Sequence, residues 1–111
     1  MTIFPVVVLA ASMTLSTPTP PDVVAGTASW YNFYPRQAAA GPRLRAMLGS
    51  GWRGSTVKVC VLSRCVAVRL TDWCQCYKGT SRERLIDLDD RAFAALAPLS
   101  RGILRVKVVI P

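Results

Sequence analysis

The chain has 111 residues, enough for one domain, and its 14 Lys and Arg against 6 Asp and Glu give a net charge of +8. Histidine is absent, which excludes imidazole as acid, base, metal ligand or partner of a Ser or Cys nucleophile. Acid–base chemistry must therefore come from Asp, Glu, Tyr, Lys or Cys, and the positive charge draws the chain to polyanions such as nucleic acid or an anionic wall polymer.

The first residues, MTIFPVVVLAASMTLSTPTPP, hold an apolar run from Ile3 to Ala11 that is too short to span a bilayer as a helix. Its length and the small residues Ala10 and Ser12 predict a signal peptide over residues 1–16, although no Lys or Arg precedes the run. The Pro/Thr-rich stretch that follows reads as a linker over 17–24, leaving 25–111 as the folded domain.

Val23 to Tyr31 is β-rich, with Gly26 marking a bend or a close backbone approach. Asn32 to Pro35 ends that strand. Arg36 to Gly49 is built from helix-forming residues but is interrupted at Gly41-Pro42. Since Pro suits the first turn of a helix, a short helix is predicted over Pro42 to Leu48, stopped by Gly49, with Leu44, Met47 and Leu48 facing the core.

Ser55 to Leu70 reads as a hairpin turning at Leu62-Ser63. Val57, Val59, Val61, Val66, Val68 and Leu70 take the inner face, and Lys58, Cys60, Cys65 and Arg69 the outer. That register sets Cys60 opposite Cys65. Residues 65 to 70 then carry the chain roughly 17 Å from the hairpin tip, which leaves Cys74 and Cys76 to each other across a cramped one-residue gap. All three connectivities of the four cysteines remain open. The spacings C-x4-C and C-x-C fit disulfides of an exported protein better than paired zinc knuckles, so no metal or other cofactor is expected.

Every acidic residue except Asp22 falls between Arg69 and Phe93. Asp72 closes one apolar run, and Asp87 lies in the short strand Arg84 to Leu88. Asp89 occupies an N-cap position and Asp90 the first turn of a helix running to about Leu96, with Phe93, Leu96 and Ala97 inward. Glu83, between Arg82 and Arg84, reads as a solvated charge. Leu104 to Ile110 alternates as a last strand. The pattern is mainly β, with about five or six short strands and two small helices.

In this order, Gly26-Thr27-Ala28-Ser29-Trp30-Tyr31, Thr71-Asp72, and Ile86-Asp87-Leu88 followed by Ala92-Phe93 and Leu96 resemble the RlpA-like and expansin-like proteins over nearly the whole domain. The resemblance implies a six-stranded double-psi β-barrel with a polysaccharide groove across one face. It also implies either lytic transglycosylation of peptidoglycan or non-catalytic, expansin-like binding and loosening of wall polymers. Asp72 and Asp87 match the groove-lining acids of the family, with Asp87 the candidate general acid and Asp72 the second carboxylate. Where RlpA-like enzymes carry an acidic segment ending in Thr-Ala-Ala-His, Arg36 to Gly49 contains neither acid nor His.

Partial burial after Leu85 and Ile86 would raise the pKa of Asp87 and keep it protonated, as a general acid needs. Trp73, Tyr31, Trp30 and Tyr77 are the candidate sugar-stacking residues, with Trp30 equally suited to the core. Trp52 is a candidate barrel-end cap. The cations Arg36, Arg43, Arg45, Arg53, Lys58 and Arg64 are scattered over several elements rather than gathered on a basic helix, which points away from nucleic acid. The expectation is a secreted or wall-associated monomer, without a membrane span, whose partner is peptidoglycan or another anionic wall polysaccharide.

Overall fold

A computed structural model describes residues 22–111. The expected signal peptide and linker residues 17–21 lie outside the described residues. Six strands form a closed barrel: β1 (Val23–Tyr31), β2 (Gln37–Ala40), β3 (Thr56–Val61), β4 (Arg64–Trp73), β5 (Ile86–Asp89) and β6 (Leu104–Val109). Around the ring the order is β1-β5-β2-β4-β3-β6. The pairs β1/β5 and β2/β4 are parallel and the other neighbours antiparallel. Two short helices, α1 (Pro42–Leu48) and α2 (Asp90–Ala94), complete the expected architecture. No described helix is long and apolar enough to cross a membrane.

Alternation builds the core. Val57 and Val59 of β3, Val66, Val68 and Leu70 of β4, Ile86 and Leu88 of β5, and Leu104, Val106 and Val108 of β6 all point inward and are buried with Phe93 and Leu44. The β3–β4 hairpin has the predicted register, with Val61 opposite Arg64 and Cys60 opposite Cys65. Cys60 and Cys65 are joined, as are Cys74 and Cys76, and no described cysteine is free.

Four expectations need correction. The barrel begins at Val23, which pairs with Val109, so Val23 and Val24 belong to β1 and not to the linker. Gln37–Ala40 is a strand, because it is sandwiched between β5 and β4 and draws hydrogen bonds from both. In α1 Leu44 is buried but Met47 is 46% exposed, so the apolar face is narrower than its spacing suggests. Helix α2 ends at Ala94; Leu96 and Ala97 are still buried, held by backbone bonds to the Phe93 carbonyl.

Gly26 makes the close approach its position implied: a Cβ there would stand 2.8 Å from the Leu85 Cβ. Gly41 is tighter still, since a Cβ would lie 2.4 Å from the Arg84 carbonyl oxygen, and its N–H donates to the Leu85 carbonyl at 3.0 Å. These contacts seat the segment before β5 against β1 and the start of α1, which fixes where Asp87 emerges.

Candidate acid-pair groove

On the outer wall, four strands contribute one row of side chains. Ser29 of β1 is the cross-strand partner of Asp87 of β5, Asp87 is the partner of Ala39 of β2, and Ala39 is the partner of Asp72 of β4. Asp72 and Asp87 therefore stand two strands apart, with Cα atoms about 10 Å from each other at ordinary strand spacing. Between them lies the methyl group of Ala39.

Asp72 reaches this row through a β-bulge. Inward positions of β4 run Val66, Val68, Leu70, and unbroken alternation would send Asp72 inward as well. The register instead slips between Ala38 and Ala39: Ala38 pairs with Leu70, but Ala39 pairs with Asp72. Thr71 is the extra residue, and it turns Asp72 outward, a common use of bulges beside functional sites. The Thr71 hydroxyl donates to Gln37 Oε1 at 2.8 Å, tying the bulge to the start of β2.

Each carboxylate has its own partners. Asp72 accepts the Tyr31 hydroxyl at Oδ2 and the Trp73 N–H at Oδ1, both at 2.9 Å. Asp87 accepts the Ser29 hydroxyl at 3.0 Å. Burial pushes the Asp87 carboxyl above its usual range and the negative charge of Asp72 adds to this, against the opposing effects of the Ser29 hydrogen bond and the Arg84 charge. The Tyr31 phenol is also pushed up, by burial first and by its bond to Asp72 second, so it stays a neutral donor.

Aromatic side chains flank the pair. Trp73 is 51% exposed beyond Asp72, with the Arg45 guanidinium 5.4 Å from its ring centre. Arg45 is fixed by bonds to the Ala40 and Cys74 carbonyls at 2.7 and 2.9 Å. Tyr77 is 54% exposed, with the Arg82 and Arg84 guanidinium groups 4.9 and 5.1 Å from its ring centre. Tyr31 stacks on Phe33 at 4.8 Å, extending the aromatic surface away from Asp72.

Of the residues the sequence singled out, Asp72, Asp87, Tyr31 and Trp73 come together, and Tyr77 adjoins them through Arg84. Trp30 is the exception. It shares the inward parity of Ala28, packs against the core beside Phe93, and its indole N–H donates to the Leu99 carbonyl at 2.9 Å. It is partly buried against the core with its N–H already bonded, so it serves the core here more than a sugar face. Trp52 also packs partly on the core, under Arg53. Asp89 is buried and caps α2, accepting the Arg91 and Ala92 N–H groups. Glu83 accepts the Gly79 N–H, so it shapes its own loop.

Ser29, Ala39, Arg45 and Arg84 were not anticipated. Ser29 was readable, since it lies two residues from Tyr31 on the same strand face. A cavity of about 530 Å³ lies away from the acid pair, between β3, β6 and the segment after α2. Asp72 and Asp87 are half-buried on the outer face of their strands, a surface that suits a polymer more than an enclosed small ligand.

Comparison with known proteins agrees with this architecture. The apo expansin of Clavibacter michiganensis superposes with a TM-score of 0.64 at 19% identity, covering 81% of this chain and 50% of that one. The same bacterium's expansin in complex with cellohexaose gives 0.63 at 18% identity, with 81% and 50% covered. The chain thus spans half the length of these expansins. A Streptomyces papain inhibitor shares the fold with a TM-score of 0.58 at 23% identity, over 79% of this chain and 93% of the inhibitor. At these identities the likeness is one of fold alone. No characterised protein sequence matches significantly. The lytic transglycolase family of double-psi β-barrels matches residues 23–108, and the chain belongs to that RlpA-like family.

Proposed function

We propose that the chain is an exported domain that holds a wall glycan across the Asp72–Ala39–Asp87 row and cleaves peptidoglycan as a lytic transglycosylase. What carries this reading is the raised, half-buried carboxyl of Asp87, set two strands from Asp72 with only Ala39 of β2 between them in the row. Asp87 enters the reaction protonated and delivers its proton to the glycosidic oxygen as the C–O bond breaks. Positive charge develops on the sugar, and Asp72, an acceptor fixed by Tyr31, stabilises it. The sugar's own hydroxyl then attacks the anomeric carbon and closes an anhydro ring, and its proton passes to a carboxylate of the pair. No water and no cofactor is consumed. Trp73 and Tyr77 offer ring faces for neighbouring sugars. Two disulfides suit an oxidising compartment, in keeping with export and wall association.

The second reading is a non-catalytic, expansin-like module that binds or loosens wall polymers. It is favoured by the segment Arg36 to Gly49, which offers the groove neither an acid nor a His. Incubation with purified peptidoglycan, followed by mass spectrometry of the soluble products, decides between the two. Anhydro-muropeptides that vanish with Asp87→Asn establish the enzyme. Sedimentation with sacculi but no soluble product removes the enzyme and leaves the binding module. Failure to sediment at moderate salt removes both.

A further inference from the structure

The cations are less scattered than the sequence suggested. In the ring β6 lies three strands from β2 in either direction, so it forms the wall opposite the acid pair. Its outward residues include Arg105 and Lys107, both exposed. Cys60 of β3 is the partner of Lys107 and Lys58 the partner of Val109, which puts Lys58 diagonally beside Lys107. Lys58 is in turn opposite Ala67 of β4, and Thr56 opposite Arg69, so Arg69 is diagonal to Lys58. Arg105, Lys107, Lys58 and Arg69 thus form one oblique row across three strands.

Each step advances two residues along the strands. The first is about 7 Å and the two diagonal steps about 7–8 Å. Strands β1, β3 and β6 contain no acidic residue, and Asp72 of β4, three residues beyond Arg69, is engaged by the Tyr31 hydroxyl and the Trp73 N–H. At the Arg105 end the row opens on the 530 Å³ cavity, where Arg101 adds another cation. The Cys60–Cys65 disulfide staples β3 to β4 and keeps the row rigid.

We infer that this row is a second binding site, for an extended phosphodiester polymer. Evenly spaced guanidinium and ammonium groups on a rigid wall match a linear chain of repeating negative charge, and two of the four are forks suited to phosphate oxygens. The outward neighbours in the row are Thr56, Cys60, Cys65, Ala67 and Val109. None is aromatic, so there is no platform for stacking bases or sugar rings. The ligand chemistry this selects is a slender polyol phosphate without bases. The row runs over β6 and β3 and reaches β4 only at Arg69, beside Gln37 of β2, so three of its four cations lie away from the acid pair and the inference stands whether or not that pair binds a glycan.

The test is titration of the full chain with poly(glycerol phosphate) across a salt series, with poly-dT and polygalacturonate as comparison polymers. Lys58→Gln with Lys107→Gln should weaken binding to poly(glycerol phosphate) by at least about tenfold. It should also flatten the slope of log affinity against log salt by about 0.7–0.9 per lost contact. Removing the same charge off the row, with Lys78→Gln and Arg91→Gln, should change binding by less than about twofold. Both pairs replace exposed side chains, and an unchanged melting temperature confirms that each variant is folded. Equal losses from the two pairs would reduce the row to net charge and overturn the inference. Poly-dT or polygalacturonate binding as tightly as poly(glycerol phosphate) would overturn it as well.

Discussion

Asp72 and Asp87 are both cross-strand partners of Ala39, so the two carboxylates face each other across a single small residue of the strand between them. The groove is thus defined by what β2 does not carry. Ala39 is itself buried, so replacing it by Leu should push the neighbouring side chains outward and displace the Tyr31–Asp72 hydrogen bond. Sedimentation with sacculi should fall by about tenfold, the loss expected of roughly 1.4 kcal/mol. Ala39→Ser, nearly isosteric, should keep binding within about twofold; equal losses from Leu and Ser would mean that ligand does not cross this row.

The raised pKa of Asp87 has a stability consequence with a definite sign. In the unfolded chain the carboxyl titrates at about 3.9, and in the barrel it titrates higher because burial opposes its charge. Below the unfolded value both states are protonated and nothing is lost. As pH rises through the folded value the native state must hold a disfavoured charge, and stability falls. Asp87→Asn should therefore melt above the wild type at pH 7, with the two curves converging as pH falls toward about 4. Calorimetry over that range checks it, and a wild type more stable than the variant at neutral pH would contradict it. Ser29→Ala, which removes a donor that lowers this pKa, should move the alkaline limb of any activity profile, where the protonated acid is lost, to higher pH.

Tyr31→Phe removes one hydroxyl and leaves the ring stacked on Phe33. The expected loss is about 1 kcal/mol in urea unfolding, typical of a hydrogen bond to a charged but partly solvated group. A larger drop in glycan cleavage than in binding would mark the residue as a positioner of Asp72.

The bulge can be tested on its own. Deleting Thr71 places Asp72 directly after Leu70, which restores strict alternation to β4 with Asp72 still outward and still opposite Ala39. What is lost is the Thr71–Gln37 hydrogen bond, so urea unfolding should show a loss of about 1 kcal/mol, and a failure to fold would contradict this register. Thr71→Ser keeps both the inserted residue and the hydroxyl for Gln37, and should stay close to wild type.

Asp89 separates capping from charge. Its Oδ2 holds two helix N–H groups, while Oδ1 is buried without a hydrogen-bond partner. Asp89→Ala should cost about 1–2 kcal/mol as a lost cap. Asp89→Asn, an equally good cap without the charge, should be near neutral. Equal destabilisation by both would show that the carboxylate charge matters more than the cap.

Alternation made most of the barrel readable. The inner valines of the β3–β4 hairpin, the Cys60–Cys65 pairing, the helix starting at Pro42 and the Asp89 cap all follow from local chemistry, and the order of short motifs pointed to the family. Strand β2 was hidden because three alanines have no β-preference of their own; neighbouring strands on both sides impose the conformation. Asp72 could be named as a candidate, but its direction depends on an insertion that no spacing rule reveals. Trp30 was ambiguous because what decides it, the bond to the Leu99 carbonyl and the packing near Phe93, joins distant parts of the chain.

Strand β6 has one further consequence. It pairs with β1 on one side and β3 on the other, and it is the last strand to be synthesised. Until it arrives, the first strand and the disulfide-stapled hairpin each keep a bare edge able to pair with other chains. The ring is therefore sealed by its final piece, at the greatest separation in sequence that the topology allows. Folding should be slow for a domain of this size, and a chain cut short before Leu104 should accumulate as protease-sensitive, self-associating material.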